Sequence, residues 1–349
     1  MMKEVRCTVE ELGELCRQRK AVCFGAGDWL MDSFFGERYK RFEFEKSVSA
    51  VIDNSPEKQN TYIKVRGREI RICSLGQLKK ETVPPWFFVI TSRRYAGEIV
   101  NQLEHELSGC KAEYCIWPSV LNYYHEDIRL PGIIAENGKQ APRIPKRLHW
   151  CWVGGGKLPE TERLCLESWK KFCPDFEIIL WNESNFDIKS NAYVNEAYEN
   201  KKYAFVSDYI RLWCIWHYGG IYLDTDVELF KPLDPFLGHR AFSGFQEREY
   251  IPTGIIGGEK GSKWIGYLMS YYNDRHFVTE KGFDLTTNVA AITEMTEQKF
   301  HICLENKYID LEEVTLYPQE VFCPLDWDTG YRNITRNTYC IHKFSGSWG

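Results

Sequence analysis

The chain opens as an alternation of short apolar runs and amphipathic stretches. Ala21 to Phe24 (AVCF) reads as a buried strand and VSAVIDN as a second, ending near Asp53. WFFVITS (Trp86 to Ser92) and AEYCIW read as two more, with the helical pattern AGEIVNQLEHEL between them. Unbroken apolar runs separated by helical periodicity are what strands buried on both faces look like, so this part predicts a parallel, Rossmann-like sheet. After the first strand, Gly25-Ala26-Gly27 makes a tight turn and Trp29-Leu30 begin a helix. From Trp117 to Lys146 the pattern breaks, with Pro118, Pro131, Pro142 and Pro145 interrupting any period. The chain therefore reads as a domain over 1–120, a linker over 121–142 and a second domain over 143–349.

The second domain starts with the strand and glycine turn RLHWCWVGGG, the helix ETERLCLESWKKF and the strand FEIILWNES. Then YAFVSDYIRLWCIWHYGG predicts a helix over 203–218 that is apolar nearly all round, with one polar stripe of Ser207, Asp208 and Arg211. Asp208 and Arg211 are either a self-satisfied ion pair or a functional one. Burying such a pair gains little over apolar residues, so function is a fair explanation. Gly219-Gly220 stop this helix. In the following IYLDTDVELF, strand alternation puts Tyr222, Asp224 and Asp226 on one face. Two carboxylates there repel unless a cation or a donor lies between them, and the apolar flanks argue against a strand end fraying into solvent. A divalent ion that prefers carboxylate and phosphate oxygens, Mn²⁺ or Mg²⁺, resolves the repulsion.

Composition narrows the rest. Over 349 residues, 44% are hydrophobic and 15% aromatic, which supplies a core and leaves no case for disorder. A net charge of -5 argues against nucleic acid as a partner. No apolar window is long enough to span a bilayer, and the charged MMKEVRCTVEELGELCRQRK lacks the apolar centre of a signal peptide. Thirteen cysteines form no framework, and Cys23, Cys214 and Cys303 sit in apolar elements. They read as reduced, buried thiols of a cytoplasmic protein, and no Cys/His set has zinc spacing.

Gly25, Gly27 and Asp53 match part of a dinucleotide fingerprint, but its third glycine is replaced by Leu30. The reading adopted is a Rossmann-shaped domain that binds no dinucleotide. Residues 15–118 (GAG, VIDN, FVITS) resemble the small Rossmann-like domains fused to bacterial carbohydrate-modifying enzymes. Residues 143–349 (IPKRLHWCWVGG, AFVSDYIRLWCIWHYGGIYLDTD and YCIHKFSGSWG) resemble the DXD-containing glycosyltransferases of the capsular-polysaccharide and mannosyltransferase type. These share a GT-A fold with the catalytic domains of clostridial glucosylating toxins.

The resemblance implies an α/β protein, a GT-A-type nucleotide-sugar-binding domain preceded by a smaller Rossmann-like domain. It implies Mn²⁺ or Mg²⁺ held by Asp226 directly, with Asp224 on the metal, the ribose or the sugar and His342 a neighbour. Asp208 and Arg211 match the pair that holds the donor sugar and neutralises the leaving phosphate. Trp152 would pack near the base, with Ser207, Tyr222, Asn288, Ser347 and Trp348 also at the donor. The implied activity is retaining hexosyl transfer from a nucleoside-diphosphate sugar, UDP-sugars foremost. The acceptor would be a glycan or lipid-linked glycan of bacterial polysaccharide synthesis, drawing a cytoplasmic enzyme to the inner membrane face. Oligomeric state, sugar and linkage are left open. Two rivals stand: a nucleotide-sugar oxidoreductase working through Gly25 and Asp53, and a carbohydrate-binding protein that uses aromatics alone. A nucleotidyltransferase using paired carboxylates and the GGGK loop is a weaker third.

Overall fold

The computed structural model describes residues 2–123, 129–246, 250–326, 330 and 332–346. The chain divides into two compact units, one spanning 1–125 and the other built from 126 onward, apart from a short stretch around 328–331.

The first unit is a seven-stranded sheet of β1 (Lys3–Glu4), β2 (Ala21–Phe24), β3 (Val48–Ile52), β4 (Tyr62–Val65), β5 (Arg68–Cys73), β6 (Trp86–Ile90) and β7 (Ala112–Ile116), in the order β1-β7-β6-β2-β3-β5-β4. All pairs are parallel except the hairpin β4–β5. The expected strands lie where the apolar runs predict them. The hairpin is an addition, because its Tyr62–Val65 edge is mostly exposed and carries no apolar run. Along β2, Ala21 and Cys23 enter one core while Val22 and Phe24 enter the other, which is why the run is apolar at every position. The expected helix after the glycine turn is only a wide six-residue turn, Trp29–Phe34, closed by Phe35 N–H on Leu30 O at 2.9 Å.

The second unit carries a mixed seven-stranded sheet. Its strands are β8 (Arg147–Cys151), β9 (Glu177–Trp181), β10 (Gly220–Leu223), β12 (Ala241–Gly244), β13 (Ile255–Gly258), β16 (Ile309–Asp310) and β17 (Thr315–Tyr317). The order is β16-β17-β12-β13-β10-β8-β9, with β9, β8 and β10 parallel and β13 antiparallel to β10. Two small pairs stand apart: β11 (Val227–Leu229) with β18 (Cys340–His342), and β14 (Val278–Thr279) with β15 (Gly282–Phe283). Tyr222 faces one core, while Ile221 and Leu223 face the other. The mixed α/β architecture matches the expected fold class.

Part of the segment read as a linker belongs to this unit. Leu130–Asn137 is a helix whose Leu130 and Ile134 are buried in the second unit's core beside Ile144. Its Pro131 lies in the first helical turn, where a missing N–H costs nothing, so the proline does not break the element. All thirteen cysteines are free thiols. Cys23 and Cys214 are buried as expected, but Cys303 is exposed, because it follows the helix Asn288–Phe300 instead of lying within it. Among the described residues, no helix is long and apolar enough to cross a membrane.

Candidate functional site

The sheet of the second unit reverses direction of growth at β8: the chain passes from β8 to β9 on one side and then to β10 on the other. Ligands of open α/β sheets bind at the carboxyl ends of the strands where this happens. Trp152 follows β8 there, and Asp224 follows β10. The strand does not run through the two aspartates as alternation predicts. β10 ends at Leu223, and Asp224-Thr225-Asp226 form a turn closed by Val227 N–H on Asp224 O at 3.0 Å. Asp224 N–H is held by Gly254 O at 2.8 Å. The turn aims the two side chains at different partners.

Asp224 faces Arg211, which projects from the buried helix Tyr203–Tyr218. The Arg211 guanidinium lies 3.3 Å from each Asp224 carboxylate oxygen, 2.9 Å from Asp208 Oδ1 and 2.7 Å from Thr253 O. Ser207 Oγ accepts from Arg211 Nη2 at 3.2 Å and donates to Ala204 O at 2.7 Å. Tyr222 packs its ring 5.0 Å from the guanidinium carbon. Ser207 and Tyr222, expected at the donor, are each only 1% exposed. Their structural place is around Arg211. Burial raises the Asp208 carboxyl to about 6, with Arg211 opposing the rise and Asp224 adding to it. Burial also works against the Arg211 charge, but Asp224 and Asp208 outweigh it and hold the guanidinium firmly protonated. Asn288, at the start of the helix Asn288–Phe300, is buried and donates to Asp208 O at 3.4 Å, which joins it to this group.

Asp226 faces the other way, toward the C-terminal segment. Antiparallel register sets Val227 opposite His342, so β18 carries the imidazole to the turn. His342 Nε2 lies 3.1 Å from Asp226 Oδ1. Phe344 adopts a left-handed φ of 53° and the next amide, Ser345 N–H, reaches Asp226 Oδ2 at 2.8 Å. Burial alone would raise the Asp226 carboxyl, yet the His342 hydrogen bond and charge and the Ser345 amide bring it down to about 2. Burial likewise opposes a charged His342, and the Asp226 partnership overrides it and raises the imidazole well above its ordinary value.

One ligand atom from each of Asp224, Asp226 and His342 fits within 4.8 Å of the others. Two carboxylates and an imidazole at that separation suit one divalent ion of the Mg²⁺/Mn²⁺ kind, with room for phosphate oxygens as further ligands.

Trp152 is half-buried beside the glycine loop, with Nε1–H donating to Gly156 O at 2.6 Å. Ser347 and Trp348 lie outside the described residues. Thr253, Ser345 and Glu162 join the site without having been foreseen. Glu162, in the first turn of the helix Glu160–Phe172, is 1% exposed and accepts the Ser345 hydroxyl at 2.7 Å through Oε1. Its Oε2 is buried without a hydrogen-bond partner. The signal was present: Glu162 shares a helical face with buried Cys165 and Trp169, a carboxylate on an apolar stripe.

Residues 159–243 match the family model of the glycosyltransferase sugar-binding region containing the DXD motif. That match spans Glu162, Asp208, Arg211, Asp224 and Asp226, and stops short of His342. The chain is 28% identical over 134 residues to inositol phosphoceramide mannosyltransferase 3 of Schizosaccharomyces pombe, covering 36% of each. It is 33% identical over 123 residues to mannosyl phosphorylinositol ceramide synthase SUR1 of Saccharomyces cerevisiae, covering 34% of this chain and 31% of the relative. The solved PaToxG glycosyltransferase overlays on 49% of this chain and 76% of its own, with 18% identity and a TM-score of 0.35. The chain spans about a third of the length of the two curated relatives described. The family match and the two relatives support the expectation of a glycosyltransferase.

Proposed function

We propose that this protein is a metal-dependent, retaining glycosyltransferase that moves a hexose from a nucleoside-diphosphate sugar to a hydroxyl of a glycan or glycolipid. The observation that carries the reading is the convergence of Asp224, Asp226 and His342 beside the buried Asp208–Arg211 pair. Asp224, Asp226 and His342 would hold Mn²⁺ or Mg²⁺. A bound divalent ion supplies Lewis-acid stabilisation of the charge on the departing diphosphate. Arg211 is fixed in advance by Ser207, Thr253, Asp208 and Asp224, so its positive charge needs no reorganisation as the leaving group departs. Asp208 and Asn288 accept and orient sugar hydroxyls and Trp152 flanks the base; the resemblance also assigns Ser347 and Trp348 to the donor. The N-terminal unit is an accessory domain.

The family resemblance favours UDP-sugars and a bacterial polysaccharide precursor at the inner membrane face. The names of the two fungal relatives describe mannosyl transfer and an inositol phosphoceramide, which brings mannose donors and glycolipid acceptors into the same panel. The test measures hydrolysis of, or transfer from, UDP-, GDP- and dTDP-sugars with and without Mn²⁺, for wild type and Asp226→Ala. The expected result is Mn²⁺-dependent consumption of one donor class that falls at least about a thousandfold in the variant. A variant that matches wild type would end the proposal.

A further inference from the structure

The first unit holds a cavity of about 870 Å³ that the proposed transfer reaction does not use. It opens at the carboxyl ends of β2, β3 and β6, where Phe24, Asp53 and Thr91 line its floor. β2 lies between β3 and β6, so the chain leaves β2 first to one side and later to the other. The cavity therefore occupies a switch point, and its size is that of a nucleotide-scale ligand.

Its chemistry departs from a dinucleotide site. In that arrangement the acidic residue ending the second strand turns outward to a ribose. Asp53 instead turns back into its own loops: Oδ2 accepts Ala26 N–H at 2.7 Å and Oδ1 accepts Ser55 N–H at 2.9 Å. Lys58 completes this internal cluster, 3.6 Å from Asp53 Oδ2 and donating to Ala26 O at 3.1 Å. Of the glycine-turn amides, Ala26 N–H is taken by the Asp53 carboxylate and Gly25 N–H by Ile52 O.

The opposite wall carries two arginines. Arg93 and Arg94 follow β6 in tandem and both line the cavity. Planar guanidinium groups match phosphate oxygens in pairs. Arg93 lies 4.9 Å from the centroid of the half-buried Trp29 ring, and Tyr95, 49% exposed, flanks the same wall. Aromatic faces beside guanidinium groups suit a planar base. Gly25 holds the walls close: its φ is +113°, and a Cβ there would sit 3.1 Å from Ser92 Cβ. Gly27 lines the cavity with open space where a side chain would be.

We infer that this cavity is a second ligand site, for a nucleoside mono- or diphosphate whose phosphate is received by Arg93 and Arg94 and whose base packs against Trp29 and Tyr95. The inference is independent of the transfer reaction.

The test uses the full chain carrying Asp224→Ala and Asp226→Ala, so that nucleotide bound at the metal cluster does not contribute. Calorimetric titration with ADP, UDP, NAD⁺ and inorganic phosphate reads the site. At least one nucleoside phosphate should bind, and more tightly than inorganic phosphate. Binding should weaken at least about tenfold when Arg93→Ala and Arg94→Ala are added. Gly27→Phe, at a position with an ordinary φ and free space, should block binding while thermal unfolding stays unchanged. A folded Gly27→Phe protein that binds as before would overturn the site, as would absence of binding by any nucleotide at millimolar concentration. Tightest binding by NAD⁺ would overturn the stated ligand class.

Discussion

The two units of this protein solve the same local problem in opposite ways. Each has a parallel strand running into a glycine turn, and each places aspartate at the carboxyl end of a neighbouring strand. In the first unit Asp53 is satisfied by its own loops, through Ala26, Ser55 and Lys58, so the carboxylate is structural. In the second unit Asp224 and Asp226 are held by groups from distant segments: Arg211 from a helix, His342 and Ser345 from the chain's last strand and the turn beyond it. A carboxylate bonded within its own loop stabilises that loop. Two carboxylates of one turn, held by groups from distant segments with one oxygen of each within 4.8 Å of His342, keep a shared capacity to bind a cation.

The largest way to break this contrast is in the aspartates themselves. Asp226→Ala should lower donor turnover at least about a thousandfold, whereas Asp53→Ala should leave kcat within a few fold and lower only thermal stability. Next in size is Arg211→Ala. It leaves the half-buried Asp208 and Asp224 carboxylates near each other without their cation, and should destabilise the second unit by about 3 kcal/mol in chemical denaturation.

A pH titration sharpens the contrast further. His149 donates through Nε2 to Gly219 O and accepts Trp181 Nε1–H, and His239 lies against Tyr317 and Thr315. Burial lowers both imidazoles to about 4. Because the folded form disfavours protonation, their contribution is present above the ordinary value near 6.5 and is lost as pH falls toward 4. The second unit should therefore lose a few kcal/mol across that interval, and His239→Gln should flatten the slope in pH-dependent denaturation. Smallest is Glu162→Ala, which removes the acceptor for the Ser345 hydroxyl. It should cost about tenfold in kcat/KM, and Glu162→Gln, which keeps an acceptor, should restore most of the loss.

Much of this was legible in the chain. The core strands of the first sheet announced themselves in runs such as AVCF, apolar because both faces are covered, and β8, β9 and β10 of the second sheet were legible, whereas β12, β13, β16 and β17 were not. The Asp208–Arg211 pair and the D-T-D segment were visible as charge inside apolar elements, and the structure adds that Arg211 bridges them. What periodicity could not supply was the turn at Asp224–Asp226, because strand and turn share the same local sequence until Gly254 and β18 capture it from far along the chain. Glu162 escaped for a related reason: its partner, Ser345, lies 183 residues away. The hairpin β4–β5 escaped because an edge strand has one wet face and no run of apolar residues.

The carboxylates of the second unit should form a divalent-metal site, and that of the first should not. Electron paramagnetic resonance titration of Mn²⁺ into the purified chain tests it directly, by counting ions bound per chain in wild type, Asp226→Ala and Asp53→Ala. The account predicts a saturable site in wild type that survives Asp53→Ala and disappears in Asp226→Ala. Mn²⁺ binding that persists in Asp226→Ala, or that vanishes with Asp53, would contradict it.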